Sequence, residues 1–146
     1  MKIGFVGCGN MASAIIKGII KKQIIEEENI MASAKTKTTL ERVQRELGIK
    51  VSMDNSEVVK NSDIVVLAVK PQYYQEVIEQ IKDTVSDNQI IISIAPGKTL
   101  AWLQDCFGKN VKLVRTMPNT PAMVGAGMTG LCVNSHVCLL YTSPSP

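Results

Sequence analysis

The sequence has little to stack on nucleic-acid bases and little charge of either sign to spare. Its only tryptophan is Trp102, with three tyrosines and two phenylalanines, and 16 basic against 13 acidic residues leave a net charge of +3. Such scattered charge argues against a polyanion partner, so no nucleic-acid role is expected. The four cysteines, Cys8, Cys106, Cys132 and Cys138, include no C-x-x-C pair and have no histidine cluster beside them. Structural zinc is therefore disfavoured, no metal site is expected, and each cysteine reads as a small buried apolar residue of a reduced compartment. With His136 as the single histidine, any Ser-His-Asp or Cys-His centre would have to be built on that one residue. Purely apolar runs such as Ile64–Val69 stop at six residues, far short of the roughly 20 that span a bilayer. The start Met1-Lys2-Ile3 has no signal-peptide pattern, and the expectation is a cytoplasmic protein without membrane contact.

What is present is one domain's worth of chain, 146 residues, enough to bury a core without staples. Apolar periodicity alternates along it between strand and helix. Lys2–Val6 reads as a strand, and Ala12–Ile20 then carries Ala12, Ile15, Ile16, Ile19 and Ile20 on one helical face. The step repeats with a strand at Ile30–Ala34 and a helix at Thr39–Gly48, which Gly48 stops. A short strand at Ile49–Val51, a brief helix at Asn55–Lys60 and the nearly unbroken apolar strand Asp63–Val69 follow. A helix opened by Pro71, strand Gln89–Ile94, helix Leu100–Phe107 and strand Val111–Thr116 complete the series. The fold class this predicts is α/β: a doubly wound Rossmann-type, mostly parallel sheet with helices on both faces.

Gly7-Cys8-Gly9-Asn10-Met11-Ala12 lies directly after the first strand and opens the first helix, which is the context a G-x-G-x-x-G/A dinucleotide fingerprint requires. Gly7 permits the tight turn, Gly9 the approach of a pyrophosphate, and Ala12 close packing of helix on sheet. Asn10 and Met11 offer backbone N–H groups at the positive end of the helix.

The residues after the second strand select the dinucleotide. An acid there hydrogen-bonds the ribose 2′-hydroxyl of NAD and repels a 2′-phosphate. The sequence instead reads Ser33-Ala34-Lys35-Thr36-Lys37, so Ser33, Lys35, Thr36 and Lys37 form a candidate phosphate pocket, with Asn55 within reach after the third strand. NADP(H) is favoured over NAD(H). Val69, Lys70 and Pro71 at the end of the fourth strand, and Ala95 and Gly97 after the fifth, fall along the cofactor's path. Met117 to Gly130 holds Pro118, Pro121, Gly125, Gly127 and Gly130, too many breakers for a helix or interior strand, and reads as a long functional loop.

Three stretches together carry a family resemblance: Gly7 to Ala12; Ala68-Val69-Lys70-Pro71; and Arg115 to Thr129, which contains Met117-Pro118-Asn119-Thr120-Pro121. They resemble pyrroline-5-carboxylate reductase, over residues 1–137. The resemblance implies reduction of the cyclic imine 1-pyrroline-5-carboxylate to L-proline by NAD(P)H, the last step of proline biosynthesis. It assigns no certain catalytic side chain; Met117, Pro118, Asn119 and Thr120 take positioning roles, because a protonated imine already accepts hydride. The family also has a C-terminal helical domain that makes it a homo-oligomer and supplies much of the substrate pocket. Nothing in the sequence corresponds to that domain, and residues 138–146 stop resembling the family, so the expectation is a truncated reductase, inactive alone, with an artefactual or disordered tail. Two alternatives stay open: a free-standing dinucleotide-binding or sensor module, and another small Rossmann reductase of the 3-hydroxyacid dehydrogenase kind. The proline-rich loop counts against the latter.

Overall fold

The computed structural model describes residues 1–94, 97–109 and 111–115, together with the backbone of 132–133. Strands β1 (Ile3–Val6), β2 (Ile30–Ser33), β3 (Lys50–Ser52), β4 (Ile64–Leu67), β5 (Ile90–Ser93), β6 (Lys112–Arg115) and β7 (Cys132–Val133) alternate with helices α1 (Asn10–Lys21), α2 (Lys37–Leu47), α3 (Asn55–Lys60), α4 (Tyr74–Ile81) and α5 (Leu100–Phe107). The expected elements are all there, with edges moved by a few residues. Pro71 opens a single 3-10 turn, Pro71–Tyr73, ahead of α4, since its missing N–H is harmless only in a first turn. Two pieces went unpredicted: a 3-10 turn at Glu27–Asn29 and β7.

The seven strands form one sheet in the order β3-β2-β1-β4-β5-β6-β7, parallel except for β7, which runs antiparallel to β6. Ile3 of β1 pairs in register with Ile30 on one side and Ile64 on the other. From β1 the chain winds outward to β3, then crosses back to lay β4 on the opposite flank. The reversal opens a crevice at the carboxyl ends of β1 and β4, the position where open α/β sheets take ligands.

Period-two alternation distributes the strand side chains between two cores. Val6, Val65, Leu67, Ile91 and Leu113 point to one face and pack with Val58, Val59, Tyr74, Ile78, Ile81, Leu103 and Phe107 from α3, α4 and α5. Ile3, Phe5, Ile30, Ala32 and Val66 point to the other and meet Ala12, Ile16, Val43 and Leu47 from α1 and α2. Each such buried Val, Leu, Ile or Phe side chain contributes about 1.5–3 kcal/mol, which is why β4 reads as an unbroken apolar run: both of its faces are covered. No helix among the described residues is long and apolar enough to cross a membrane.

Candidate dinucleotide site

The turn between β1 and α1 is built on Gly7, whose φ is +93°. A Cβ placed there would lie 2.7 Å from Val69 Cγ1 and 3.1 Å from the Val69 backbone nitrogen. Both the left-handed backbone and the closeness of Val69, just past the end of β4, therefore demand glycine. Gly9 differs. It is the N-cap residue of α1 at φ −88°, and a Cβ there would meet nothing within 4 Å, so its lack of a side chain answers to no neighbour in the described protein. No side chain caps α1 and no acid occupies its first turn, which leaves the N–H groups of the exposed Asn10 and Met11 to solvent or a ligand. Ala12 is fully buried, seating the helix on the sheet.

Behind the turn, the Gly7 N–H donates to Ser33 Oγ at 3.1 Å, and Ser33 donates onward to Asn55 Oδ1 at 2.6 Å. Asn55 Nδ2 in turn donates to Gln80 Oε1 at 2.8 Å. Ser33 is 1% exposed and its one hydroxyl hydrogen is spent on Asn55. Its place is thus beneath the turn, with no hydrogen left for a phosphate in this arrangement.

The exposed edge after β2 is cationic. Thr36 is the N-cap of α2, its Oγ1 accepting from the Thr39 N–H at 3.2 Å and donating to Thr39 Oγ1 at 2.9 Å. Lys37 is the first residue of that helix and no acid joins it in the first turn. A cation there opposes the helix dipole, a local cost that an incoming anion would reverse. Lys35 Nζ sits 3.3 Å from the centroid of the Tyr73 ring. Lys70 caps the Pro71–Tyr73 turn at the end of β4 and is exposed. At the end of β6, Arg115 Nε is buried without a hydrogen-bond partner, a donor lacking an acceptor among the described residues.

The carboxyl edge of the sheet thus gathers Gly7, Gly9, Asn10, Met11, Ala12, Ser33, Lys35, Thr36, Lys37, Asn55, Val69, Lys70 and Pro71. Gly97, at φ +84°, opens the segment before α5. Ala95, and Met117, Pro118, Asn119 and Thr120, from which positioning roles are expected, lie outside the described residues, as do His136 and the tail 138–146.

A family model described as NADP oxidoreductase, coenzyme F420-dependent, matches residues 2–97, more than half of the chain. The chain belongs to this oxidoreductase family. Within its range of relatives, the chain is 42% identical over 130 residues to pyrroline-5-carboxylate reductase of Methanosarcina acetivorans, covering 89% of this chain and 48% of that protein. Among solved structures, pyrroline-5-carboxylate reductase of Coxiella burnetii superposes with a TM-score of 0.86 at 37% identity, covering 94% of this chain and 51% of that one. Plasmodium falciparum pyrroline carboxylate reductase, solved with NADP bound, gives 0.80 at 33%, with 94% and 50% covered. The chain spans about half the length of the curated relatives it matches.

Sequence reasoning missed two hydrogen-bonding side chains of α4. Tyr74 sits in an apolar stripe, yet its buried hydroxyl donates to the Leu67 carbonyl at 2.7 Å and lies 3.1 Å from Ser93 Oγ, holding the carboxyl ends of β4 and β5 together. Gln80 is exposed on α4 and carried no motif. Cys8, within the fingerprint, is buried 3.7 Å from Ser13 Oγ, and that burial pushes its thiol pKa up, so it is a neutral packing group. Cys106 is half-buried, against the expectation of full burial, packed at the margin of the core that holds Leu103 and Phe107. No metal-ligating cluster occurs among the described residues.

Proposed function

We propose that the chain is the NADP(H)-binding half of a pyrroline-5-carboxylate reductase, an enzyme that reduces 1-pyrroline-5-carboxylate to L-proline. The observation that carries the reading is the uncapped amino end of α1, held open by Gly7 and Gly9 at the sheet's crevice. It fits a pyrophosphate, because free N–H groups and the helix dipole both favour an anion there. The relatives' names supply the substrate, a cyclic imine.

When bound, NADPH supplies the hydride. The residues of this chain bind and orient. Asn10 and Met11 present backbone N–H groups to the pyrophosphate, Ala12 seats the helix on the sheet, and Lys35 and Lys37 meet a 2′-phosphate that an acid after β2 would repel. Val69, Lys70, Pro71, Ala95 and Gly97 line the path toward the nicotinamide, while Asn55, named in the sequence as within reach of the phosphate, has its amide engaged by Ser33 and Gln80. By the same family resemblance, Met117, Pro118, Asn119 and Thr120 position nicotinamide and imine. An imine protonated on nitrogen needs alignment more than a side-chain acid. In this reading residues 1–137 form the cofactor domain, and turnover belongs to a protein that also carries the relatives' second half, through which the family forms homo-oligomers.

Titration of the chain with NADPH and with NADH, before and after joint replacement of Lys35 and Lys37 by Ala, tests the assignment. Weaker NADPH binding with little change for NADH is expected. Equal losses for both would overturn the 2′-phosphate role, and a chain that binds neither would overturn the cofactor reading.

A further inference from the structure

The hydrogen bonds behind the fingerprint turn run in one direction only. A backbone N–H can only donate, so at Gly7 the direction is fixed and Ser33 Oγ accepts. Ser33 then has one hydrogen to place, and Asn55 Oδ1 takes it. With its oxygen engaged on that side, Asn55 turns its amide nitrogen to the other, where Gln80 Oε1 accepts. The reversed arrangement fails. If residue 80 presented a donor, Asn55 would turn its oxygen outward and its nitrogen toward Ser33, and the Ser33 hydrogen would be stranded in a site 1% exposed. The Ser56 hydroxyl also donates to the Gln80 carbonyl oxygen at 3.2 Å, which pins that part of α4 against the start of α3.

From this we propose that Gln80, an exposed residue of α4 outside every motif in the sequence, is a positioning residue of the dinucleotide site. As the terminal acceptor it fixes the Asn55 amide, through Asn55 the Ser33 hydroxyl, and through Ser33 the Gly7 N–H that shapes the turn beneath the pyrophosphate. The proposal rests on the dinucleotide reading above and adds to it a residue on a different helix. It requires an acceptor at position 80 and nothing more, so Glu serves there and Met does not. Because the chain of bonds ends on the pyrophosphate turn, its loss affects NADPH and NADH alike. That separates it from the lysines after β2, which act on the 2′-phosphate alone.

The test uses the full chain as wild type, Gln80→Met and Gln80→Glu. Two quantities are read: the amide 1H and 15N shifts of Gly7 without cofactor, and the dissociation constants for NADPH and NADH. In Gln80→Met the Gly7 resonance moves and both constants rise together by about two- to tenfold, the range set by one neutral hydrogen bond; in Gln80→Glu the resonance and both affinities return toward wild type. An unmoved Gly7 resonance with unchanged affinities in Gln80→Met overturns the proposal, as does a Gln80→Glu chain damaged as much as Gln80→Met. A wild-type chain that binds neither dinucleotide fails the function reading and takes this proposal with it, an outcome distinct from binding that is indifferent to residue 80.

Discussion

Lys35 holds its ammonium 3.3 Å from the centre of the Tyr73 ring, joining the loop after β2 to the turn after β4. In the sheet those two strands flank β1, so the contact bridges the carboxyl end of the strand that leads into the glycine turn. A lysine on a loop is otherwise free to sweep through solvent. Here the aromatic face gives it an address beside the cofactor edge.

The bridge predicts a measurable coupling. An exposed cation–π pair contributes about 0.5–1 kcal/mol, so a double-mutant cycle of Lys35→Met and Tyr73→Leu, followed by urea denaturation, should return a coupling of that size. Additive losses in the double variant would mean that the two side chains are neighbours without interaction.

The two fingerprint glycines should separate stability from binding. Gly7→Ala puts a methyl on a φ of +93°, 2.7 Å from Val69 Cγ1, and should cost about 1–3 kcal/mol of strain or more. Gly9→Ala meets nothing within 4 Å and loses only the N-cap preference of Gly over Ala, about 1 kcal/mol or less. Its methyl would stand where the pyrophosphate approaches, so NADPH affinity should fall about tenfold or more while the fold holds. Unchanged NADPH affinity in Gly9→Ala would place the pyrophosphate elsewhere.

The two variants also mark what the sequence could disclose. Gly7, Gly9 and Ala12 were readable because strand, turn and helix follow one another within a dozen residues, and β4 was readable because both of its faces are covered. The support beneath the turn was not. Its hydrogen bonds join residues 26, 22 and 25 positions apart, and nothing local distinguishes Gln80 from a solvated surface glutamine. By sequence Ser33 and Thr36 are hydroxyls available to a phosphate; in the structure Ser33 lies under the turn and Thr36 caps α2. Short polar side chains serve backbone and ligand with the same atoms, and only tertiary placement decides which.

Tyr74 shows the same limit inside the core. Its periodicity is that of an apolar helix face, but its hydroxyl bonds the Leu67 carbonyl and approaches Ser93. Tyr74→Phe keeps the ring and removes the donor to the Leu67 carbonyl in a fully buried site, which should cost about 1–3 kcal/mol. A urea midpoint shifted at constant slope would show it; a loss below about 0.5 kcal/mol would place the hydroxyl among ordinary surface-like contacts.

The Cys8 thiol gives the stability a pH dependence on the alkaline side. Burial raises its pKa above the ordinary 9.0, only partly offset by the Ser13 hydroxyl and by Arg42. Folded chains therefore keep the thiol proton at a pH where unfolded chains have lost it, so the folded state binds more protons and stability must fall as pH rises. This contribution is flat below the ordinary value and declines from there up through the folded-state pKa. The difference between wild type and Cys8→Ala isolates it. Urea midpoints measured from pH 7 upward should run parallel at first and then converge or cross above about pH 9 as the wild type loses stability faster. Curves that stay parallel throughout would mean that water reaches the thiol and that the turn between Gly7 and Gly9 is looser than its packing against Ser13 implies.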